Sequence, residues 1–238
     1  MNELEATPQS AFSATAAATG ERVTAFLRKV YGWMFVGLGI TATVALGVAS
    51  SPALVQSIVQ NKMLFWGLML GELGLVFYLS ARVDKLAPAT ASGLFLLYSA
   101  LNGVTLSFIL LAFTGASIAT TFVVTAGMFG ALALYGTTTK RSLAGVGQFM
   151  FMGLIGLVLA SVVGMFVKSD GLQFAISVVG VLVFTGLTAW DAQRLKAMAL
   201  AVPEGRYGSY AVVGALALYL DFINLFLFLL RFLGGRRD

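Results

Sequence analysis

Seven stretches of this sequence are each long and apolar enough to cross a lipid bilayer as a helix, and that decides the fold class. Crossing the hydrocarbon takes about 20 apolar residues in helical form. Runs at roughly 31–50, 63–81, 89–111, 116–136, 147–167, 172–191 and 210–231 qualify. Strict apolar/polar alternation is missing, which argues against a transmembrane β-barrel. Hydrophobic residues make up 59% of the 238 and charged ones only 11%, where a soluble domain carries about a quarter charged. A soluble core of this size has no room for so much apolar surface, so lipid must cover it. The expected architecture is an all-α integral membrane protein with seven transmembrane helices.

The prolines respect these boundaries: Pro52, Pro88 and Pro203 fall at or between run ends, and Pro8 lies near the N-terminus. The weakest division separates the third and fourth runs, where only Phe113-Thr114-Gly115 marks a turn; a re-entrant element is the alternative there. Residues 1–20, acidic and rich in Ala, Ser and Thr, read as a disordered polar N-terminal tail, and residues 21–238 as the seven-helix domain. The first apolar run begins near Tyr31, too late and too long for a cleaved signal peptide.

Lys and Arg placement sets the orientation. With the N-terminus inside, the inner segments hold Arg22, Arg28, Lys29, Arg82, Lys85, Lys140, Arg141, Arg194, Lys196 and Arg206, against Lys62, Lys168, Arg231, Arg236 and Arg237 outside. That favours a cytoplasmic N-terminus and an outer C-terminus. The basic C-terminus opposes this, which leaves an even number of spans as the alternative. The net charge of +5 sits at run ends and points to orientation and anionic headgroups rather than nucleic acid. Small residues four apart (Gly67 and Gly71; Gly156, Ala160 and Gly164) suggest close helix contacts.

Cysteine and histidine are both absent. That removes disulfides, zinc and haem sites and any Ser-His or Cys-His nucleophile, and the chain is read as non-enzymatic with no cofactor. What remains is acid chemistry inside the membrane, where a carboxylate costs several kcal/mol and is seldom without a task. Asp221 lies midway along the last run, and Asp191 closes the one before it. The segment 192–209 reverses the chain, so the two helices run antiparallel. Asp191 reaches the depth of Asp221 only if its helix continues past it, and no breaker occurs before Pro203.

Two facing carboxyls cannot both ionise easily in a low dielectric, so they would share a proton. Losing it leaves like charges that must separate or attract a cation. Asn224, one turn from Asp221, offers an amide or a hard oxygen. Calcium prefers six to eight oxygen ligands, so two carboxylates and an amide make a partial site, suited to passage. Arg82, closing the second run, is the expected counter-charge, and Glu72, ten residues earlier, either lines a pathway with Asp221 or hydrogen-bonds while protonated. Asn102 is a weaker pathway candidate, for which an interhelical amide bond is the plainer role.

At these residues the chain resembles the bacterial branch of the Bax inhibitor family of membrane proteins. The resemblance is carried by Leu216-Ala217-Leu218-Tyr219-Leu220-Asp221-Phe222-Ile223-Asn224-Leu225-Phe226, by Phe184-Thr185-Gly186-Leu187-Thr188-Ala189-Trp190-Asp191-Ala192-Gln193, and by Asn102-Gly103-Val104-Thr105-Leu106. In span order it covers about residues 22–235. It implies a last helix surrounded by the others, residence in a bacterial inner membrane, and a pH-dependent calcium leak. The gate it implies is the pair Asp191 and Asp221, which meets calcium only transiently, with Arg82 or Lys85 as the lock of the closed form. Some bacterial members are tied to a membrane protease.

Three functions follow as expectations. The first is a calcium-permeable, proton-regulated leak channel. The second is a non-transporting regulator that binds another membrane protein, such as a protease. The third, an intramembrane aspartyl protease, would use the two acids to activate water, but they lack the Gly-rich setting that such enzymes show.

Overall fold

The structure, a computed structural model, describes residues 8–167 and 169–237. Among these described residues eight α-helices follow one another: α1 (Pro8–Ala49), α2 (Pro52–Gln60), α3 (Lys62–Arg82), α4 (Pro88–Ala112), α5 (Gly115–Thr138), α6 (Ala144–Phe166), α7 (Asp170–Ala201) and α8 (Tyr207–Leu233), with one 3₁₀ turn at Glu204–Arg206. All but α2 are long and apolar enough to span a membrane. The helix breaks follow local chemistry. Pro52 and Pro88 occupy first-turn positions of α2 and α4, where a missing N–H costs nothing. Asn61, Thr114 and Ser169 cap α3, α5 and α7 by accepting from Leu64 N, Ser117 N and Leu172 N. Such caps satisfy amides that a helix start leaves bare.

The third and fourth apolar runs are two separate helices, joined only through Phe113 and Thr114, so the re-entrant alternative falls. The even-span alternative falls with it. After α8 the chain pairs antiparallel with the α4–α5 turn: Phe113 bridges Arg236, Thr114 N donates to Gly235 O (3.1 Å), and Arg237 N donates to Ala112 O (3.0 Å). The C-terminal segment is thereby pinned at the bundle end opposite the α7–α8 connection. Residues 1–7 of the expected N-terminal tail lie outside the described residues, and α1 begins at Pro8. The short α2, which none of the apolar runs predicts, touches α1 and α3.

The architecture centres on α8. Its apolar window is 72% buried, against 11% for those of α3 and α6, because α1, α4, α5 and α7 all pack around it. Its residues read apolar on every side, as a helix enclosed by protein must. On the α1/α4 side, Tyr219 meets the ring edges of Phe95 and Tyr98; Phe222 does the same against Phe122 and Phe129 of α5. Toward α7, Leu225 joins a cluster with Phe184 and Leu187.

Glycine sets two of the close approaches. A Cβ on Gly103 would stand 2.7 Å from Thr41 O, and one on Gly136 would collide with Ala189 O; these positions hold α4 against α1 and α5 against α7. The spacing-based expectation for Gly67, Gly71 and Gly156 is not met, since a Cβ at each would meet nothing within 4 Å. These residues face outward, where spacing alone cannot tell a packing face from a lipid face.

Candidate functional site: an aspartate pair and a separate polar relay

Helix α7 continues ten residues beyond Asp191, to Ala201, which brings that acid to the depth of Asp221. The register is fixed on both sides. Phe184 stacks on Phe228 at 5.8 Å. Seven residues on along α7 is Asp191, and seven back along α8 is Asp221, two turns for each helix. Toward the connecting loop, Leu195 packs over Gly214, whose Cβ would lie 2.5 Å from the leucine. The two carboxyls therefore face each other across the α7–α8 interface, close enough to interact electrostatically, with Arg194 acting on both.

The two acids differ in surroundings. Asp221 is 4% exposed, and its Oδ2 is the only buried side-chain N or O atom among the described residues without a hydrogen-bond partner. Asp191 keeps 14% exposure and accepts an ion pair from Arg194 Nη1 at 3.4 Å; Arg194 itself is 50% exposed. The guanidinium also lies over the Trp190 ring, 5.4 Å from its centroid. One end of the pair is thus open to a charged, hydrated neighbour while the other is enclosed in apolar helix.

The residues flanking Asp191 explain its placement. Trp190 fills the space left by Gly147 of α6, and Ala192 packs against Gly136 of α5. Gln193 clamps the α5–α6 connection, accepting from Leu143 N (2.8 Å) and donating to Arg141 O (2.8 Å). Lys196 donates to Thr137 O (2.8 Å). Three side chains around the acid, Trp190, Ala192 and Gln193, thus meet α6, α5 and the connection between them and fix the acid's rotation about α7.

Arg82, expected to be the counter-charge, sits exposed at the end of α3 with no ion pair among the described residues, and Lys85 beside it is likewise exposed. The arginine that meets Asp191 is Arg194, three residues along the same helix. That spacing is a standard helical ion-pair separation, so the sequence carried the signal.

Glu72 and Asn102 belong to a different assembly. Glu72 accepts from Asn102 Nδ2 (3.3 Å) and from Thr105 Oγ1. Tyr219 OH donates to Asn102 Oδ1 (3.0 Å) and shares a hydrogen bond with Thr41 Oγ1 (2.6 Å). This relay joins α1, α4, α8 and α3 and ends on the carboxylate. Tyr219 and Asp221 are two residues apart, about 200° around a helix, so they occupy opposite faces of α8. The expectation that Glu72 lines a path with Asp221 is therefore not met in this conformation. Glu72 and Asn102 come together with each other, and Asp191 and Asp221 with each other. Neither Tyr219 nor Thr41 stood out in the sequence, since a lone Tyr or Thr in an apolar run looks like filler.

Asn224 bonds within its own helix, donating to Leu220 O (2.8 Å), and lines a cleft of about 1260 Å³ near the C-terminal end of α8. Neither this cleft nor the apolar cavity between α1 and α5 is lined by either aspartate, so the pair is sealed from both. Among the described residues no group of three or more acids is placed to hold a metal ion; two carboxylates are what the pair offers a passing cation.

Comparison with known proteins identifies the family. The family model described as inhibitor of apoptosis-promoting Bax1 matches residues 23–238. The inner membrane protein YbhL of Escherichia coli strain K12 is 52% identical over 215 residues, covering 89% of this chain and 92% of its own. An uncharacterised protein of Borreliella burgdorferi is 46% identical, with 90% and 93% covered, and one of Rickettsia prowazekii is 41% identical, with 90% of each covered. With a match across both aspartate-bearing helices and the enclosed last helix, the chain belongs to the Bax inhibitor-1 family of membrane proteins.

Proposed function

We propose that this protein is a proton-responsive, calcium-permeable leak of the bacterial inner membrane, with the Asp191–Asp221 pair as its gate and its N-terminus in the cytoplasm. The observation that carries the reading is Asp221: an acid sealed at the centre of the most buried helix, with one oxygen lacking any partner. A structural acid in lipid is normally paired or hydrogen-bonded, and a site that leaves one bare suits a switch. The inner-membrane location follows the E. coli relative, whose name carries it.

The arrangement accommodates one proton. Asp191 meets Arg194 as an anion, whereas an ionised Asp221 would be a buried, uncompensated charge, costing several kcal/mol. As pH rises and that proton leaves, two like charges face each other with one arginine between them, and α7 and α8 are driven apart or a cation enters. As pH falls and Asp191 takes up a proton, Arg194 loses its partner and the interface loosens from its hydrated end. The sealed conformation is accordingly favoured at intermediate pH. Opening toward Asn224, one turn away, would join the pair to the cleft at the far end of the bundle. Arg82 or Lys85 acts as a lock only if the end of α3 moves toward the pair.

A second reading, a non-transporting regulator of another membrane protein such as a protease, is favoured by α1. Its 42 residues extend about 63 Å, roughly twice the hydrocarbon thickness, and offer a docking element beyond the lipid. Reconstitution into liposomes with an internal calcium dye separates the two. Calcium entry without any partner supports the leak, and its absence in folded protein at every pH favours the regulator.

A further inference from the structure

The cleft near the C-terminal end of α8 has a composition that the gate does not use. Arg231, Arg236 and Arg237 all line it, with Asp170 as the one acid. None of the three arginines has a carboxylate within ion-pair distance among the described residues. Arg231 and Arg236 lie near enough to repel each other, and the nearest favourable contact of the Arg231 guanidinium is the Phe228 ring, 5.8 Å away. Ser169 and Gln173 add polar groups to the same rim. Three guanidiniums lining one cleft at a membrane boundary, with no ion pair among the described residues, call for an anion.

Below the rim the cleft becomes apolar. Its wall on α6 includes Leu154, Leu157, Val158, Val162 and Met165, and Val158, Val162 and Met165 are exposed on the bundle surface. Helix α6 makes its main contact with α7, so the cleft beside it is continuous with the lipid-facing side. From Val162 to Leu154 the wall descends about 12 Å, enough for a large part of an acyl chain. A free phosphate would use only the rim, and a hydrocarbon tail only the wall.

We infer that this cleft is a binding site for an anionic phospholipid, its phosphodiester held by Arg231, Arg236 and Arg237 and one acyl chain laid along α6. Guanidiniums suit the task because their planar N–H forks bind phosphate oxygens in pairs. The inference is independent of the leak reading: the site exists whether or not calcium passes.

Native mass spectrometry of the full chain, released from micelles with phosphatidylglycerol or phosphatidylcholine, tests it. Wild type should retain phosphatidylglycerol in preference to phosphatidylcholine. The triple variant Arg231→Gln, Arg236→Gln, Arg237→Gln should retain it about tenfold less or worse, as expected for losing several charge-assisted bonds. Val158→Trp, which fills the tail wall and leaves every arginine in place, should also weaken retention. Helical content by circular dichroism selects folded variants. Equal retention of the two lipids by wild type, or undiminished phosphatidylglycerol on the folded triple variant, overturns the proposal. So does inorganic phosphate at millimolar levels displacing the lipid while Val158→Trp has no effect, because that result assigns the rim to free anions.

Discussion

Tyr219→Phe isolates the polar relay from its packing. The ring stays, with its edge contacts to Phe95 and Tyr98, and only the hydroxyl is lost. Two interhelical hydrogen bonds go with it, to Thr41 Oγ1 and Asn102 Oδ1. Thr41 retains Ser99 O as an acceptor at 2.8 Å, so it is not stranded. Asn102 keeps its donation to Glu72, but its Oδ1 loses its donor. Hydrogen bonds between membrane helices average about 0.6 kcal/mol, and an acceptor stranded in a protected position raises the cost. The sum is about 1–2 kcal/mol, read from equilibrium unfolding in mixed micelles. Tyr98→Phe is the control, because the Tyr98 hydroxyl takes no part in the relay; it should cost less than about 0.5 kcal/mol, the range of substitutions that break no named contact. A double-mutant cycle with Asn102→Ala should show positive coupling. The relay is refuted as a stabilising element if Tyr219→Phe costs no more than Tyr98→Phe, or if the cycle is additive.

Other perturbations sort the remaining contacts. Gly136→Ala places a Cβ into Ala189 O and should destabilise by about 1–3 kcal/mol, whereas Gly67→Ala, which faces open space, should leave stability unchanged or slightly raised; thermal unfolding in detergent compares them. Arg194→Gln removes the partner of Asp191 and should flatten the acidic limb of any pH-dependent flux, while Arg82→Gln, at an exposed position, should leave the profile in place; liposome flux with the two variants side by side decides which arginine serves the pair.

The sequence made the seven spans legible because hydrophobic length is a one-dimensional property, and the helix bounds agree with the apolar runs to within a turn or two except at α1 and α7. Those two exceed their runs because nothing in 9–30 or 192–201 breaks a helix once it leaves the lipid. The pairing of Asp191 with Asp221 was readable for a similar reason: two antiparallel neighbours and a short connection leave few registers. Which arginine meets the pair, and which acids share a face of α8, depended on rotation about helix axes. In helices that are apolar on most sides, no amphipathic stripe records that rotation, so the sequence leaves Glu72 between a path shared with Asp221 and a hydrogen-bonded role; it takes the hydrogen bonds, in a relay that Tyr219 ties to the opposite face of α8. The small-residue spacing held only in part on the same ground, at Gly164, whose Cβ would stand 2.9 Å from Gln173 of α7. Gly103 and Gly136 stand at real contacts, while Gly67 and Gly71, with the better spacing, face outward.

The most direct test of the gate is calcium flux into liposomes followed across a series of pH values on both sides of neutrality, for wild type and Asp221→Asn. Asparagine keeps the shape of the side chain and cannot ionise, so the variant should lose the rise in flux at the alkaline end and keep the response set by Asp191 and Arg194. A folded Asp221→Asn protein whose flux follows pH as wild type does would contradict the gate.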